Sequence, residues 1–139
     1  MNELKIHDIQ VGKKESFSMY INEDMMSSFL STTGDTSPIH VHESYAKDLG
    51  FESKVVYGML TASFYSTLVG VYLPGKYAVL HNIDISFNRP VYVGNRLDVT
   101  GEVISKNETF GQIEIRAIIK NDLDQTISKA KIKVGIRER

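Results

Sequence analysis

Gly58-Met59-Leu60-Thr61-Ala62-Ser63-Phe64-Tyr65-Ser66-Thr67-Leu68-Val69-Gly70-Val71 is the stretch on which the fold turns. As a helix it is roughly 21 Å long at 1.5 Å per residue. Met59, Leu60, Ala62, Phe64, Tyr65, Leu68 and Val69 make it apolar almost all round. Such a helix is enclosed by protein rather than laid on its surface, and Leu73-Pro74-Gly75 ends it.

Downstream the period changes to two. Ile83, Ile85 and Phe87 alternate with Asp84, Ser86 and Asn88, and Arg89-Pro90 closes that strand. Leu97, Val99 and Gly101 alternate with polar residues, as do Ile113, Ile115 and Ala117, then Ala130, Ile132, Val134 and Ile136. Lys106-Asn107-Glu108 and Asn121-Asp122-Leu123-Asp124 supply hairpin turns. Upstream the chain reads helical. Asn22 caps a helix carrying Glu23 and Asp24 in its positive first turn, and Gly34 stops it. Glu43 to Leu49 forms a short helix ended by Gly50. The sum is an α+β fold, an antiparallel sheet wrapped around a central helix, in one domain over residues 1–139.

Composition narrows the function. The 139 residues are 42% hydrophobic and 24% charged with net charge −1, so no basic face invites nucleic acid. The absence of cysteine excludes disulfides, thiolate metal sites and thiol nucleophiles. The N-terminus lacks a signal peptide's apolar core, and no apolar run approaches the roughly 20 residues that span a bilayer. A cytoplasmic enzyme or binding module remains.

Chemistry concentrates in Thr32-Thr33-Gly34-Asp35-Thr36-Ser37-Pro38-Ile39-His40-Val41-His42-Glu43-Ser44-Tyr45-Ala46. A carboxylate at 35 and an imidazole at 40 sit on one turn, able to meet over a single water molecule. That pair suits adding water to an activated double bond, or removing it. A metal reading of His40, His42 and Glu43 is weak, because the motif offers too little of a zinc coordination set. Ser63 with His40 suggests a hydrolase, but the flanks lack the exposed Gly-x-Ser-x-Gly elbow. Lys129, Lys131 and Lys133 read as one solvated strand face.

Gly34-Asp35-x-Ser37-Pro38-Ile39-His40, five residues, Ala46, then Val55-Val56-Tyr57-Gly58-Met59-Leu60, resembles the MaoC-like (R)-specific enoyl-CoA hydratases of the hot-dog fold. Phe87-Asn88-Arg89-Pro90-Val91-Tyr92-Val93-Gly94 resembles that family's strand-turn pattern, so the likeness spans nearly the whole chain. Two positions depart. Ser37 replaces the usual Asn, where a hydroxyl can make a similar side-chain-to-backbone bond. Tyr57 replaces the usual His.

The resemblance implies a lyase acting on acyl-CoA or acyl carrier protein thioesters, with no cofactor or metal and a homodimeric assembly. It implies Asp35 and His40 as the catalytic pair, one as base and the other as acid; sequence does not say which, and Asp35 as base is the preferred assignment. Gly58 would offer a bare N–H at a helix start to the thioester carbonyl, and Ser63 would support Asp35. Tyr57, Met59, Leu60 and Phe64, with Tyr65, are candidates to shape the acyl pocket, and Arg89, Arg96 and Lys76 to meet the carrier's phosphates. Three alternatives stay open: a hot-dog thioesterase, a dehydratase for a small non-fatty acyl group with Tyr57 narrowing the pocket, and a degenerate hot-dog protein that binds acyl carriers without turnover.

Overall fold

The apolar run is the rod at the centre of the molecule. In the computed structural model, which describes residues 1–138, helix α4 spans Gly58–Thr67 and widens into a π-helical turn at Leu68–Tyr72. Leu60, Ala62, Phe64, Tyr65, Leu68 and Val69 are all buried. Each such side chain contributes about 1.5–3 kcal/mol on leaving water.

Four of the five strands follow the period-two runs: β2 (Ala78–Phe87), β3 (Arg96–Asn107), β4 (Gln112–Asn121) and β5 (Thr126–Ile136). The remaining one, β1 (Lys14–Tyr20), falls where the chain was expected to be helical. Only Phe17 and Met19 give it an apolar face, and both are half-buried, so its alternation is faint. β1 hydrogen-bonds to β3, and Phe17 stacks on Tyr72 with centroids 4.9 Å apart, tying the strand to the end of the rod. The sheet is antiparallel throughout, in the order β1-β3-β4-β5-β2. Its edges are the first two strands of the chain, with the helices connecting them, and this produces the hot-dog arrangement.

The register shows how the sheet admits the rod. Gly101 on β3 faces Ala117 on β4, which faces Ala130 on β5. These small residues make a trough across the three central strands, and larger ones flank it: Val99 and Ile119 on one side, Val103, Ile115 and Ile132 on the other. A methyl group placed on Gly101 would lie 2.7 Å from Leu68 Cδ2. Even one extra carbon there forces the Leu68 side chain, or the packing around it, to shift.

One buried hydrogen bond locks the rod: Tyr65 Oη and Ser128 Oγ are 2.7 Å apart, with Ser128 fully enclosed. Burial pushes the Tyr65 phenol up to about 12, against smaller opposing effects from Ser128 and the Ile119 backbone. The neutral phenol therefore stabilises the fold fully below its ordinary value near 10. That contribution, on the order of 2–3 kcal/mol, is lost as pH rises towards 12. Tyr65→Phe is expected to lower unfolding free energy by about 1–3 kcal/mol at neutral pH by stranding Ser128. It also flattens the alkaline decline, which urea unfolding at stepped pH from neutral to 12 measures against the parent chain. An unchanged alkaline decline would exclude Tyr65 as its source.

The shorter helices end as their glycines dictate. Asn22 Oδ1 accepts the Met25 N–H at 2.9 Å and starts α1 (Glu23–Thr33), and Gly34 ends it at φ 71. A single turn, α2 (Pro38–Val41), and α3 (Glu43–Asp48) follow. No helix among the described residues is long and apolar enough to cross a membrane.

Candidate active site

His40 is the third residue of α2 and is half-buried. Its Nδ1 lies 2.6 Å from the Val55 carbonyl oxygen. A carbonyl only accepts, so Nδ1 carries the proton and Nε2 is the nitrogen left for chemistry. His40 lines a cleft of about 320 Å³, and Gly58 and Thr61 from the first turn of α4 line it too. Its apolar walls include Phe51, Val55, Val56, Phe87 and Ile127, while Asn88 and Arg89 lie at the strand-turn segment.

Gly58 is the first residue of α4, where an amide has no acceptor within the helix. A Cβ built on it would sit 3.2 Å from the Phe87 ring. Thr61, only 2% exposed, donates its hydroxyl to the Gly58 carbonyl at 2.7 Å, bracing the peptide that opens the rod. Its role was hidden in the sequence, where one Thr in an apolar helix carries no signal of direction.

Asp35 lies on the exposed turn after α1 and is not among the lining residues. Oδ1 accepts the Ser37 N–H at 3.0 Å, and the Asp35 N–H donates to Thr33 Oγ1 at 3.2 Å. The expected bond from Ser37's own side chain is replaced by this reverse arrangement, since Ser37 makes no side-chain cap. No hydrogen bond between Asp35 and His40 occurs among the described residues. Their link is indirect, through Tyr57.

Tyr57 is 2% exposed and does not line the cleft, which corrects its expected place against substrate. Its hydroxyl donates to the Asp35 backbone carbonyl at 2.8 Å, and its ring packs on His40 with centroids 4.3 Å apart. Burial first, and the Asp35 charge second, push the phenol's pKa up, so it stays a donor.

The other expected pocket residues point elsewhere. Met59 is 63% exposed, Phe64 and Tyr65 are core, and Leu60 and Ser63 border a separate groove between α1 and α4. Ser63 donates to the Leu60 carbonyl at 2.5 Å rather than to Asp35. In an all-round apolar helix, sequence cannot tell which side meets a cavity. Of the three basic candidates only Arg89 reaches the cleft; Arg96 pairs with Asp98 at 3.2 Å and Lys76 with Glu3 at 3.3 Å. Glu43 accepts from Ser53 Oγ at 3.1 Å and lies 3.6 Å from Lys47 Nζ. Lys129, Lys131 and Lys133 are exposed on the outer face of β5, as expected.

The family model described as "MaoC like domain" matches residues 8–124. The (R)-specific enoyl-CoA hydratase of Rhodospirillum rubrum is 36% identical over 93 residues. That alignment covers 67% of this chain and 65% of the Rhodospirillum enzyme, just under two thirds of its length. The (R)-specific enoyl-CoA hydratase of Aeromonas caviae is 31% identical over 105 residues, covering 76% of this chain and 78% of the relative. A solved (R)-hydratase structure from A. caviae superposes with a TM-score of 0.88 at 27% identity, covering 93% of this chain and 98% of that one.

Proposed function

We propose that this chain, which belongs to the MaoC-like domain family, is a lyase of one hot-dog domain over residues 1–139. It adds water syn to trans-2-enoyl thioesters, giving (R)-3-hydroxyacyl thioesters, or runs the reverse dehydration. The observation that carries this reading is the shared cleft: His40, whose Nδ1 is taken by Val55, and Gly58, the first residue of the central helix, line the same apolar space.

The chemistry asks three things. A base takes a proton from water as its oxygen attacks C3, an acid returns a proton to C2 on the same face, and a donor steadies the enolate oxygen. Asp35 is the base through the carboxylate oxygen that Ser37 leaves free, and His40, as the imidazolium with a proton on both ring nitrogens, is the acid through Nε2. The proton that Asp35 gains passes back to Nε2 through solvent before the next turnover. The Gly58 N–H, at the positive end of α4, receives the thioester oxygen. Arg89 is the cationic group nearest the route a carrier's phosphates would take along the cleft. No metal or redox group enters these steps.

The remaining features fit a cytoplasmic homodimer acting on coenzyme A or acyl carrier protein thioesters. Edge strand β2 exposes Val79, Leu80 and Phe87, and Met59 is bare beside the start of α4. Apolar side chains on an unpaired sheet edge suit coverage by a second copy.

Purified protein mixed with crotonyl-CoA tests the reading. Loss of enoyl absorbance without thiol release is the expected result, and Asp35→Asn is expected to lower it by about 10²–10⁴-fold. Thiol release instead would make the protein a thioesterase. Silence in both readouts, with tight carrier binding, would make it a binding module.

A further inference from the structure

Tyr57 touches the Asp35 turn, His40 and the start of α4, and is 2% exposed. Its ring lies between Phe29 on α1, with centroids 4.5 Å apart, and His40 on α2, at 4.3 Å. Its hydroxyl holds the Asp35 carbonyl at 2.8 Å. Its own carbonyl accepts the Leu60 and Thr61 N–H groups at 3.1 and 3.2 Å, making it the residue from which α4 and the Gly58 amide begin. The segments that carry the proposed base and acid thus meet on one buried side chain, and the segment that carries the oxyanion donor begins at the backbone of the same residue.

We propose that Tyr57 is a positioning residue, setting the Asp35 turn, the His40 ring and the Gly58 amide at fixed separation without touching substrate. The proposal rests on the hydratase reading and deepens it. The hydroxyl and the ring do different work: the first holds the Asp35 turn, and the second seats the imidazole against Val55. His40 has one polar restraint, the Nδ1 bond to Val55. The Tyr57 ring, tilted 34° to the imidazole, adds a packing contact that limits the imidazole's motion. The Asp35 turn carries its own internal bonds but is exposed, so its tether to the protein interior is the Tyr57 hydroxyl.

Two variants separate the parts. Tyr57→Phe keeps the ring and loses the tether; kcat for crotonyl-CoA hydration is expected to fall about tenfold with KM within twofold of the parent. Tyr57→Leu loses both, and kcat is expected to fall on the order of 10²-fold. Phe in place of Leu thereby recovers much of the rate, which a general packing defect at the site would not reproduce at unchanged KM. Proton NMR of the His40 ring supplies a readout independent of turnover. Its carbon-bound protons are expected to keep their ring-current shift in Tyr57→Phe and lose it in Tyr57→Leu.

A Tyr57→Phe variant with the parent's kcat, or one that raises KM alone, overturns the proposal, the second result making Tyr57 a substrate contact. Unchanged His40 shifts in Tyr57→Leu overturn it as well. If the parent protein hydrates nothing, the hydratase reading falls, while the NMR comparison still decides whether Tyr57 seats His40.

Discussion

His40→Ala is expected to lower kcat for crotonyl-CoA hydration by about 10²–10⁴-fold, the range for a general acid or base placed within hydrogen-bond reach. The change removes Nε2 from the cleft, and no neighbouring side chain on its wall replaces the lost group: Phe51, Val55, Val56 and Val91 cannot exchange a proton. It also strands the Val55 carbonyl, which loses its 2.6 Å partner. Val55 is only half-buried, so the cost to folding is about 1–2 kcal/mol, too little to explain the loss of rate. Urea unfolding and initial rates on the same preparations keep the two effects apart. KM is expected to stay near the parent's, because the acyl chain packs on the apolar walls. A variant retaining a tenth of the parent rate would remove His40 from the chemistry.

Gly58→Val is the second large effect. Losing one preorganised donor to a developing oxyanion costs about 2.7–4 kcal/mol, or about 10²–10³-fold in kcat. Valine keeps the amide but fills the space in front of it. Two routes to inactivity must be told apart, because a Cβ at this position also meets the Phe87 ring at 3.2 Å. Phe87 is 51% exposed on an edge strand, so its ring can swing into solvent at small cost. The double variant Gly58→Val/Phe87→Ala makes the comparison. If blockage of the amide is responsible, removing the ring restores nothing. Recovery of the parent rate would mean that Gly58 matters only as a gap for Phe87. Asp35 and His40 are untouched in both variants, and because Phe87 itself lines the cleft, the single variant Phe87→Ala supplies the rate against which the double variant is read.

Residues 14–20 and 57–63 show where sequence reading succeeds and where it stops. Helix limits were legible because they are set by local backbone chemistry: Asn22 caps, Gly34 adopts a left-handed φ that other residues resist, and Gly75 follows the end of the rod. Strands β3, β4 and β5 were legible because each buries one full face, so apolar residues recur at every second position; the edge strand β2 showed through the alternation of Ile83, Ile85 and Phe87, though it buries far less. β1 was missed for the converse reason. An edge strand with two half-buried side chains has little face to bury.

Within the site, Asp35 and His40 stood out because their spacing in a Gly- and Pro-bounded turn is local information. The partners of Tyr57, Ser63 and Met59 are not. Met59 and Leu60 are adjacent apolar residues, yet one is bare and the other nearly enclosed. Nothing in their own chemistry distinguishes them.

By itself the sequence determined the order and type of most elements, the enclosed central helix and the turn that carries the acid and the imidazole, since all of these follow from interactions within a few residues along the chain. Tertiary structure alone decided that a row of Gly101, Ala117 and Ala130 receives the helix. It also decided that the cleft joins His40 to Gly58, and that Tyr57 is buried against Phe29 and His40. Those outcomes depend on contacts between segments far apart in the chain, whose geometry exists only once the sheet has closed around the rod.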